Sequence, residues 1–137
     1  MKKVFLDTNI FIDYFDDQRR DHLDSFLLLT KAGKNYSLFC SMKTVLDVYY
    51  ILGENNQAKK CVKRISQICT VIPGNLNNLN QALEMNNWKD LEDAFQYSIA
   101  IQNKADFIAS HDKKGFKNSE IPVLRSLRLN EMFLDHV

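Results

Sequence analysis

The segment Lys2–Phe15 constrains the fold most, because it joins an apolar strand to a second apolar segment through one acidic residue. The tripeptide Val4–Leu6 predicts a short strand that is buried on both faces. Asp7 follows it directly. A carboxylate at the end of a central strand is poorly placed for stability, whereas ligands of open α/β sheets bind at this edge. Asp7 could therefore serve chemistry, or Asp7 or Thr8 could cap the next helix.

The composition is that of an ordinary globular protein. The 137 residues include 18 basic and 17 acidic ones, giving a formal net charge of +1, so nucleic-acid binding would need a local basic patch. No apolar run could span a bilayer or act as a signal peptide. Cys40, Cys61 and Cys69 lack metal-ligand spacing and are expected to be reduced, mostly buried thiols. We expect one cytoplasmic domain over residues 1–137.

Apolar periodicity predicts that strands and helices alternate along the chain. After the first strand, further strands are predicted at 36–40, 70–72, 107–109 and 121–124. Helices are predicted to begin at Asp21, Ser41 and Asp90, and Leu91 is expected to face inward. This alternation predicts an α/β fold, with a central parallel sheet of four to five strands and helices on both faces.

Acidic residues are predicted to gather at one edge of this sheet. Asp7 and Asp112 follow the first and fourth strands, so they would lie side by side if those strands are neighbours. Asp47 lies among apolar residues inside a helix, where an isolated charge is unfavourable. Asp90 and Asp93 open a helix and could be capping residues, and Asp112 could be a turn residue.

Clustered carboxylates repel one another, which raises their pKa values unless a cation is present. Mg²⁺ or Mn²⁺ is the natural partner, because both prefer oxygen ligands. One or two such ions can activate water and stabilise the charge that develops on a phosphodiester. No protein nucleophile is then required.

Four segments resemble the PIN-domain ribonucleases, a family that includes the toxins of VapC-type toxin–antitoxin pairs. They are FLDTNIFIDYF, SMKTVLDVYYIL, DLEDAFQYSIA and ADFIASHDKKGFKNSEIPVL, which together run nearly end to end. The resemblance implies a three-layer α/β/α PIN-like domain that cleaves RNA with Mg²⁺ or Mn²⁺. It also implies a small antitoxin partner and a homodimer, for which Tyr49, Tyr50 and Met132–Leu134 could supply the interface or belong to the core.

The resemblance also suggests roles for individual residues. The ion or ions would be held by Asp7, Asp47, Asp93 and Asp112. Asp90 would accompany Asp93 in catalysis, and Asn9 would orient Asp7 without binding the ion itself.

Two departures from the family pattern affect this assignment. The second-motif acid is commonly glutamate, and here it is Asp47. In the last motif an acid is present at Asp112 but absent at Gly115. These departures keep a rival open, namely a catalytically inactive PIN-fold module that binds RNA or acts as a scaffold. An aspartate-based phosphotransferase is disfavoured, because it would need an acid where Asn9 stands.

Basic residues near the proposed site could contact an RNA backbone or form an ordinary solvated loop. They are Lys113, Lys114 and Lys117, with Arg125 and Arg128 further on. His111 could contact a phosphate, although we expect an ordinary surface histidine.

Overall fold

The computed structural model describes residues 1–134, and its centre is a parallel sheet of five strands. The strands are β1 (Lys2–Leu6), β2 (Tyr36–Ser41), β3 (Thr70–Ile72), β4 (Phe107–Ala109) and β5 (Val123–Leu124). Their order across the sheet is β3-β2-β1-β4-β5, and each neighbouring pair is parallel. The predicted parallel α/β sheet is therefore confirmed. β5 is shorter than predicted, and it begins directly after Pro122, which has no N–H to donate to the ladder.

Seven α-helices connect or flank these strands within residues 1–134. They are α1 (Thr8–Phe15), α2 (His22–Thr30), α3 (Met42–Ile51), α4 (Asn56–Ile68), α5 (Leu76–Leu83), α6 (Leu91–Gln102) and α7 (Ser126–Leu134). Two 3₁₀ turns lie at Ala32–Asn35 and Lys113–Phe116. Ser41 caps α3 through its side chain, as predicted, whereas Asp21 precedes α2 without making a side-chain cap. None of the helices in the described part of the chain is long and apolar enough to cross a membrane.

Side-chain alternation along β1 divides the core between the two faces of the sheet. Val4 and Leu6 pack in one cluster with buried residues of α1, α2, α4 and α7. Phe5 points to the other face, where it packs with Tyr97 and Ile99 of α6. Helices thus cover both faces, which gives the expected three layers.

Leu91 differs from the prediction, because it is 46% exposed. It begins α6, and the first buried residue of this helix is Ala94. The first turn of α6 lies at the edge of the sheet rather than over it. An apolar residue in this turn therefore stays in contact with solvent.

The residues proposed for an interface divide between surface and core. Tyr50 is 71% exposed on α3, whereas Met132 and Phe133 are half-buried and pack against the cluster around Val4. The side chain of Leu134 and residues 135–137 lie outside the part described. Among the described side chains of this set, Tyr50 is therefore the one most available to a partner.

The strand order places the switch point of the sheet at β1. The chain runs outward from β1 to β2 and β3, and then crosses back to add β4 on the other side of β1. Leu6 lies opposite Ala109 in the register, and the backbone N–H of Asp7 donates to the carbonyl oxygen of Ala109 at 3.0 Å. The residues after β1 and β4 therefore emerge together at the carboxyl edge, where ligands bind in such sheets.

Candidate active site

Asp7 occupies the N-cap position of α1 and also faces the loop after β4. Its Oδ1 atom accepts a hydrogen bond from the N–H of Thr8 at 2.8 Å. Its Oδ2 atom accepts from the Ser110 hydroxyl at 2.7 Å and from the Asn9 side-chain amide at 3.1 Å. Asp7 thus combines the two roles considered from the sequence, a helix cap and a carboxylate presented at the sheet edge.

Asn9 connects Asp7 to the loop after β4, as expected of a residue that orients it. Its Nδ2 atom donates to Asp7, and its Oδ1 atom accepts from the backbone N–H of His111 at 3.0 Å. Ser110 is fully buried, and its hydroxyl also accepts from the N–H of Asp112 at 3.0 Å. These bonds hold the carboxylate of Asp7 and the backbone at Asp112 in one network.

The first turn of α6 brings Asp93 to the same edge. Asp90 caps the helix, since its Oδ1 atom accepts from the N–H groups of Glu92 at 2.8 Å and Asp93 at 3.2 Å. Burial, and next the negative charges of Asp90, Asp7 and Asp112, together raise the pKa of Asp93 to about 6. A carboxyl group in this environment favours a nearby cation.

Asp47 projects from α3 toward the same space, but it already has a cationic partner. The Lys43 ammonium lies 2.5 Å from Oδ2 of Asp47 and 3.3 Å from Oε2 of Glu92. Lys43 also lowers the pKa of Asp93, although burial and the nearby acids outweigh it. Lys43 therefore neutralises part of the acidic edge, a role that the sequence prediction missed.

Four of the predicted acids line one cavity of about 560 Å³, namely Asp7, Asp47, Asp93 and Asp112. Asp90 lies outside this lining and faces a neighbouring cavity. Burial raises the pKa of Asp7, and Asp112 adds to this effect, whereas hydrogen bonds from Ser110, Thr8 and Asn9 oppose it.

These residues fit a hard divalent cation. The donor set is made of carboxylate oxygens, and the pKa values of Asp7 and Asp93 are both raised, chiefly by burial. Mg²⁺ usually keeps several waters and takes only one or two carboxylates directly. Acids that surround a cavity without closing on a single point therefore suit it.

A second polar cluster lies beside this cavity and was not predicted. Among the residues that the structure describes, Asp13, Asp21 and His111 form a group whose ligand atoms all lie within 4.8 Å of one another. Their charges are already paired within the protein, because Arg19 contacts Asp13 at 2.5 Å and Arg125 contacts Asp21 at 2.7 Å. We therefore assign this cluster a structural role.

The expectation that His111 is a surface residue is wrong, since its side chain is only 5% exposed. Its Nδ1 atom lies 2.5 Å from Oδ2 of Asp13, and its Nε2 atom lies 2.7 Å from the Ser126 hydroxyl. The chain Asp13–His111–Ser126 resembles that of a serine hydrolase, but Ser126 is fully buried and no substrate could reach it. The network fixes the loop that carries Asp112.

Gly115 lies directly beside Asp93. A Cβ atom added at this glycine would lie 3.2 Å from Oδ2 of Asp93 and 3.4 Å from its Cγ. An acidic side chain at this position would therefore stand next to Asp93. Its absence leaves one carboxylate fewer on this side of the site.

The predicted basic residues do not form one continuous rim. Lys114 and Lys117 line the cavity beside Asp93, whereas Lys113 lines a separate depression together with Arg128. Arg125 donates to the backbone carbonyl of His111 at 3.0 Å and pairs with Asp21. Only part of the predicted set therefore faces the acids.

Some of the missed contacts had a local signal, and others had none. Lys43 lies four residues before Asp47, a helical spacing that permits an ion pair. The buried Gln96, one turn after Asp93, bonds to Ser41 and to Thr44 at the start of α3. This pairing joins two helices whose contacts the sequence alone does not reveal.

The fold and the site together define an α/β protein with acids at the switch point of a parallel sheet. A family model described as "PIN domain" matches residues 3–114. The chain therefore belongs to the PIN-domain family, as the sequence resemblance suggested.

Known relatives agree with this assignment. The chain is 33% identical over 131 residues to Ribonuclease VapC1 of Aquifex aeolicus (strain VF5), with 90% of each chain covered. Solved structures share the fold. VapC20 of Mycobacterium tuberculosis, described as a toxin that cleaves the sarcin-ricin loop, matches with a TM-score of 0.72 and 14% identity, over 85% of this chain and 95% of that one. VapBC2 of Rickettsia felis, bound to a promoter DNA fragment, matches with a TM-score of 0.67 and 16% identity, over 90% of this chain and 98% of that one.

Proposed function

We propose that this chain is an endoribonuclease that depends on Mg²⁺ or Mn²⁺ and acts as the toxin of a toxin–antitoxin pair. The observation that carries the proposal is the shared cavity of Asp7, Asp47, Asp93 and Asp112 at the switch point. The 33% identity to a ribonuclease supports RNA as the substrate. An acidic cavity repels phosphate, so the proposed activity requires a cation to bridge the two.

Each residue of the cavity has a distinct proposed task. Asp7, Asp93 and Asp112 would hold the cation, and Asp47 would join them when its pair with Lys43 opens. When bound, a divalent cation activates water and neutralises the charge developing on the phosphodiester. Asn9 and Ser110 keep Asp7 in its orientation through the hydrogen bonds described above. In the reaction, water adds to phosphorus, one P–O bond to a ribose oxygen breaks, and that oxygen takes up a proton.

The alternative is a PIN-fold module that binds RNA or acts as a scaffold without cleaving. Two observations favour it. Lys43 already neutralises Asp47, and Gly115 supplies no carboxylate of its own where it approaches Asp93. Both features weaken cation binding compared with a complete acidic set. The two functions differ in one measurable property, the dependence of cleavage on metal.

Cleavage should be measured on purified protein with mixed RNA in Mg²⁺, in Mn²⁺ and in a chelator. We expect cleavage that the chelator abolishes and added metal restores. Asp7→Asn should remove it, whereas Asp17→Asn, at an exposed acid that does not line the cavity, should leave it unchanged. Cleavage that persists in chelator after repurification would refute metal dependence. Metal binding without any cleavage would favour the alternative module.

We further infer that the chain acts in the cytoplasm, binds a small antitoxin protein and forms a homodimer. A structural neighbour from Klebsiella pneumoniae is a toxin–antitoxin complex, with a TM-score of 0.67 and 20% identity over 90% of this chain and 97% of that one. Helix α3 presents apolar residues to solvent, with Leu46 62% and Tyr50 71% exposed. Light scattering of the isolated chain, and co-purification with any small protein encoded beside it, would test both partners. A monomer at high concentration would contradict the homodimer.

A further inference from the structure

A second cavity of about 500 Å³ adjoins the proposed active site. Asp93 and Asp112 line both cavities, so the second is continuous with the acidic edge. Its other walls come from the turn before α6, including Trp88, and from the segment around the second 3₁₀ turn. A strand whose phosphate lies at the acids would therefore place a neighbouring nucleotide at this cavity.

Trp88 is held in a fixed orientation within this wall. Its ring stacks on Tyr97, with centroids 4.5 Å apart and an interplanar angle of 24°. It also meets Phe116 edge to face, at 6.0 Å and 77°. Tyr97 and Phe116 are buried, whereas Trp88 is only half-buried and lines the cavity. The ring is thus supported from the core and remains available on the cavity side.

Hydrogen bonds join the two walls, which indicates that the cavity is preformed. The side-chain amide of Asn118 donates to the carbonyl oxygen of Asn87 at 2.5 Å. The Tyr97 hydroxyl accepts from the backbone N–H of Glu120 at 2.8 Å. These bonds tie the segment after the 3₁₀ turn to the elements that carry and support Trp88. Little ordering would therefore be needed when a ligand enters.

Three lysines balance the charge of the three acids that also line this cavity, Asp90, Asp93 and Asp112. Lys89, Lys114 and Lys117 line it and are exposed. None of their ammonium groups lies within ion-pair distance of an acid in residues 1–134. The combination of a half-buried aromatic ring with unpaired lysines is typical of sites that bind single-stranded nucleic acid.

We propose that this cavity is a nucleotide subsite in which one unpaired RNA base stacks on Trp88 while the lysines contact the flanking phosphates. The proposal rests on the proposed function, because it takes RNA as the substrate class, and it adds the requirement for an unpaired nucleotide next to the cleaved bond. Stacking on a ring is tolerant of sequence. The subsite therefore selects for single-stranded geometry more than for one base.

The test uses Trp88 as its own reporter, since it is the only tryptophan in the chain. The wild-type protein is titrated in chelator and low salt with short labelled oligoribonucleotides, and with abasic oligomers of equal length. Label anisotropy measures binding, and tryptophan fluorescence measures contact with Trp88. We expect intact oligomers to quench the fluorescence and to bind about ten-fold more tightly than abasic ones, because only they can stack.

Variants separate stacking from phosphate attraction. Trp88→Leu should lower the affinity for the intact oligomer about ten-fold and leave the affinity for the abasic oligomer unchanged. The affinity of Trp88→Phe for the intact oligomer should lie between those of Trp88→Leu and the wild type. Lys117→Gln should weaken binding of both oligomers, whereas Lys60→Gln, at an exposed position on α4, should weaken neither. Melting curves of both Trp88 variants verify that they are folded.

The outcomes distinguish this subsite from the nuclease proposal. Fluorescence that stays constant while the oligomer saturates the protein overturns the subsite, as does equal affinity for abasic RNA or no binding at all. Cleavage is assayed separately, in the presence of metal, so its result tests the nuclease proposal independently of the binding data. Quenching by intact RNA without any metal-dependent cleavage would support the subsite and overturn the nuclease.

Discussion

Replacing Asp93 with asparagine should remove activity and leave the protein without metal at least as stable as before. The pKa of this carboxyl group rises from its ordinary value of 3.8 to about 6, chiefly through burial and next through the charges of Asp90, Asp7 and Asp112. Each pKa unit corresponds to about 1.4 kcal/mol, which would give about 3 kcal/mol for a fully buried group. Asp93 is only half-buried, so solvent screening reduces our expectation to about 1 kcal/mol.

A smaller effect opposes this gain. Asp93 lies in the first turn of α6, where a negative charge is stabilised by about 0.3–1 kcal/mol through the helix dipole. The free energy of unfolding without metal should therefore rise by about 0–1 kcal/mol at neutral pH. Since about 4 °C corresponds to 1 kcal/mol in a protein of this size, Tm should change little and should not fall.

Asp93→Asn should change the stabilisation by Mn²⁺ far more than it changes the stability without metal. At a Mn²⁺ concentration of about 100 times Kd, wild-type protein gains about 2.7 kcal/mol, or roughly 10 °C in Tm. Asp93→Asn should lose most of this shift and most cleavage activity. Asp90→Asn is the matched control, because asparagine caps a helix about as well as aspartate and Asp90 faces the neighbouring cavity.

Scanning calorimetry with and without Mn²⁺, together with cleavage rates, compares the three proteins. Full activity in Asp93→Asn, together with an inactive Asp90→Asn, would show that Asp90 and not Asp93 binds the metal. A Tm that drops by several degrees in metal-free Asp93→Asn would refute the argument that this carboxylate is destabilising.

Three further predictions follow from the same geometry. Because the pKa of Asp93 is raised in the folded state, its contribution to metal-free stability is fully present below pH 4 and is lost as pH rises through about 6. Melting curves across this pH range should show that the wild type loses stability as pH rises and that Asp93→Asn loses less. Identical pH profiles would contradict the raised pKa of Asp93. Gly115→Ala brings Cβ to 3.2 Å from Oδ2 of Asp93, so cleavage should fall about ten-fold with Tm within a few degrees, and unchanged kinetics would count against the contact. Lys43→Gln removes the cation beside Asp47, so Mn²⁺ titration should show binding several-fold tighter, and weaker binding would indicate that Lys43 organises the site.

The parts of the fold that depend on local pattern were predictable from the sequence. The run Val4–Leu6 is buried on both faces, as a central strand requires. Its neighbour β4 was predicted at the same residues, 107–109, that the structure shows. The meeting of Asp7 and Asp112 at one edge then follows from strand order. From the sequence that meeting was conditional on the two strands being neighbours, and the sheet order shows that they are.

The parts that depend on contacts between distant side chains were not predictable. His111 follows a strand in a polar segment, which is typical of a surface residue. It is buried because Asp13 from α1 and Ser126 from α7 converge on its ring. Neither residue is near it in sequence, and no periodicity indicates the pairing. The same limit applies to Trp88, whose position beside the acids depends on its stacking against Tyr97.

The insertion of β4 beside β1 has a consequence for when activity can begin during protein synthesis. Asp7 emerges from the ribosome early, but the strand and loop that complete its surroundings end only at Asp112. At about 5–20 residues per second, the ribosome needs at least several seconds to make that segment. A nascent chain therefore carries its first acid without a site. An RNA-cleaving activity of this design would be withheld from the translating ribosome until the chain has been extended beyond Asp112.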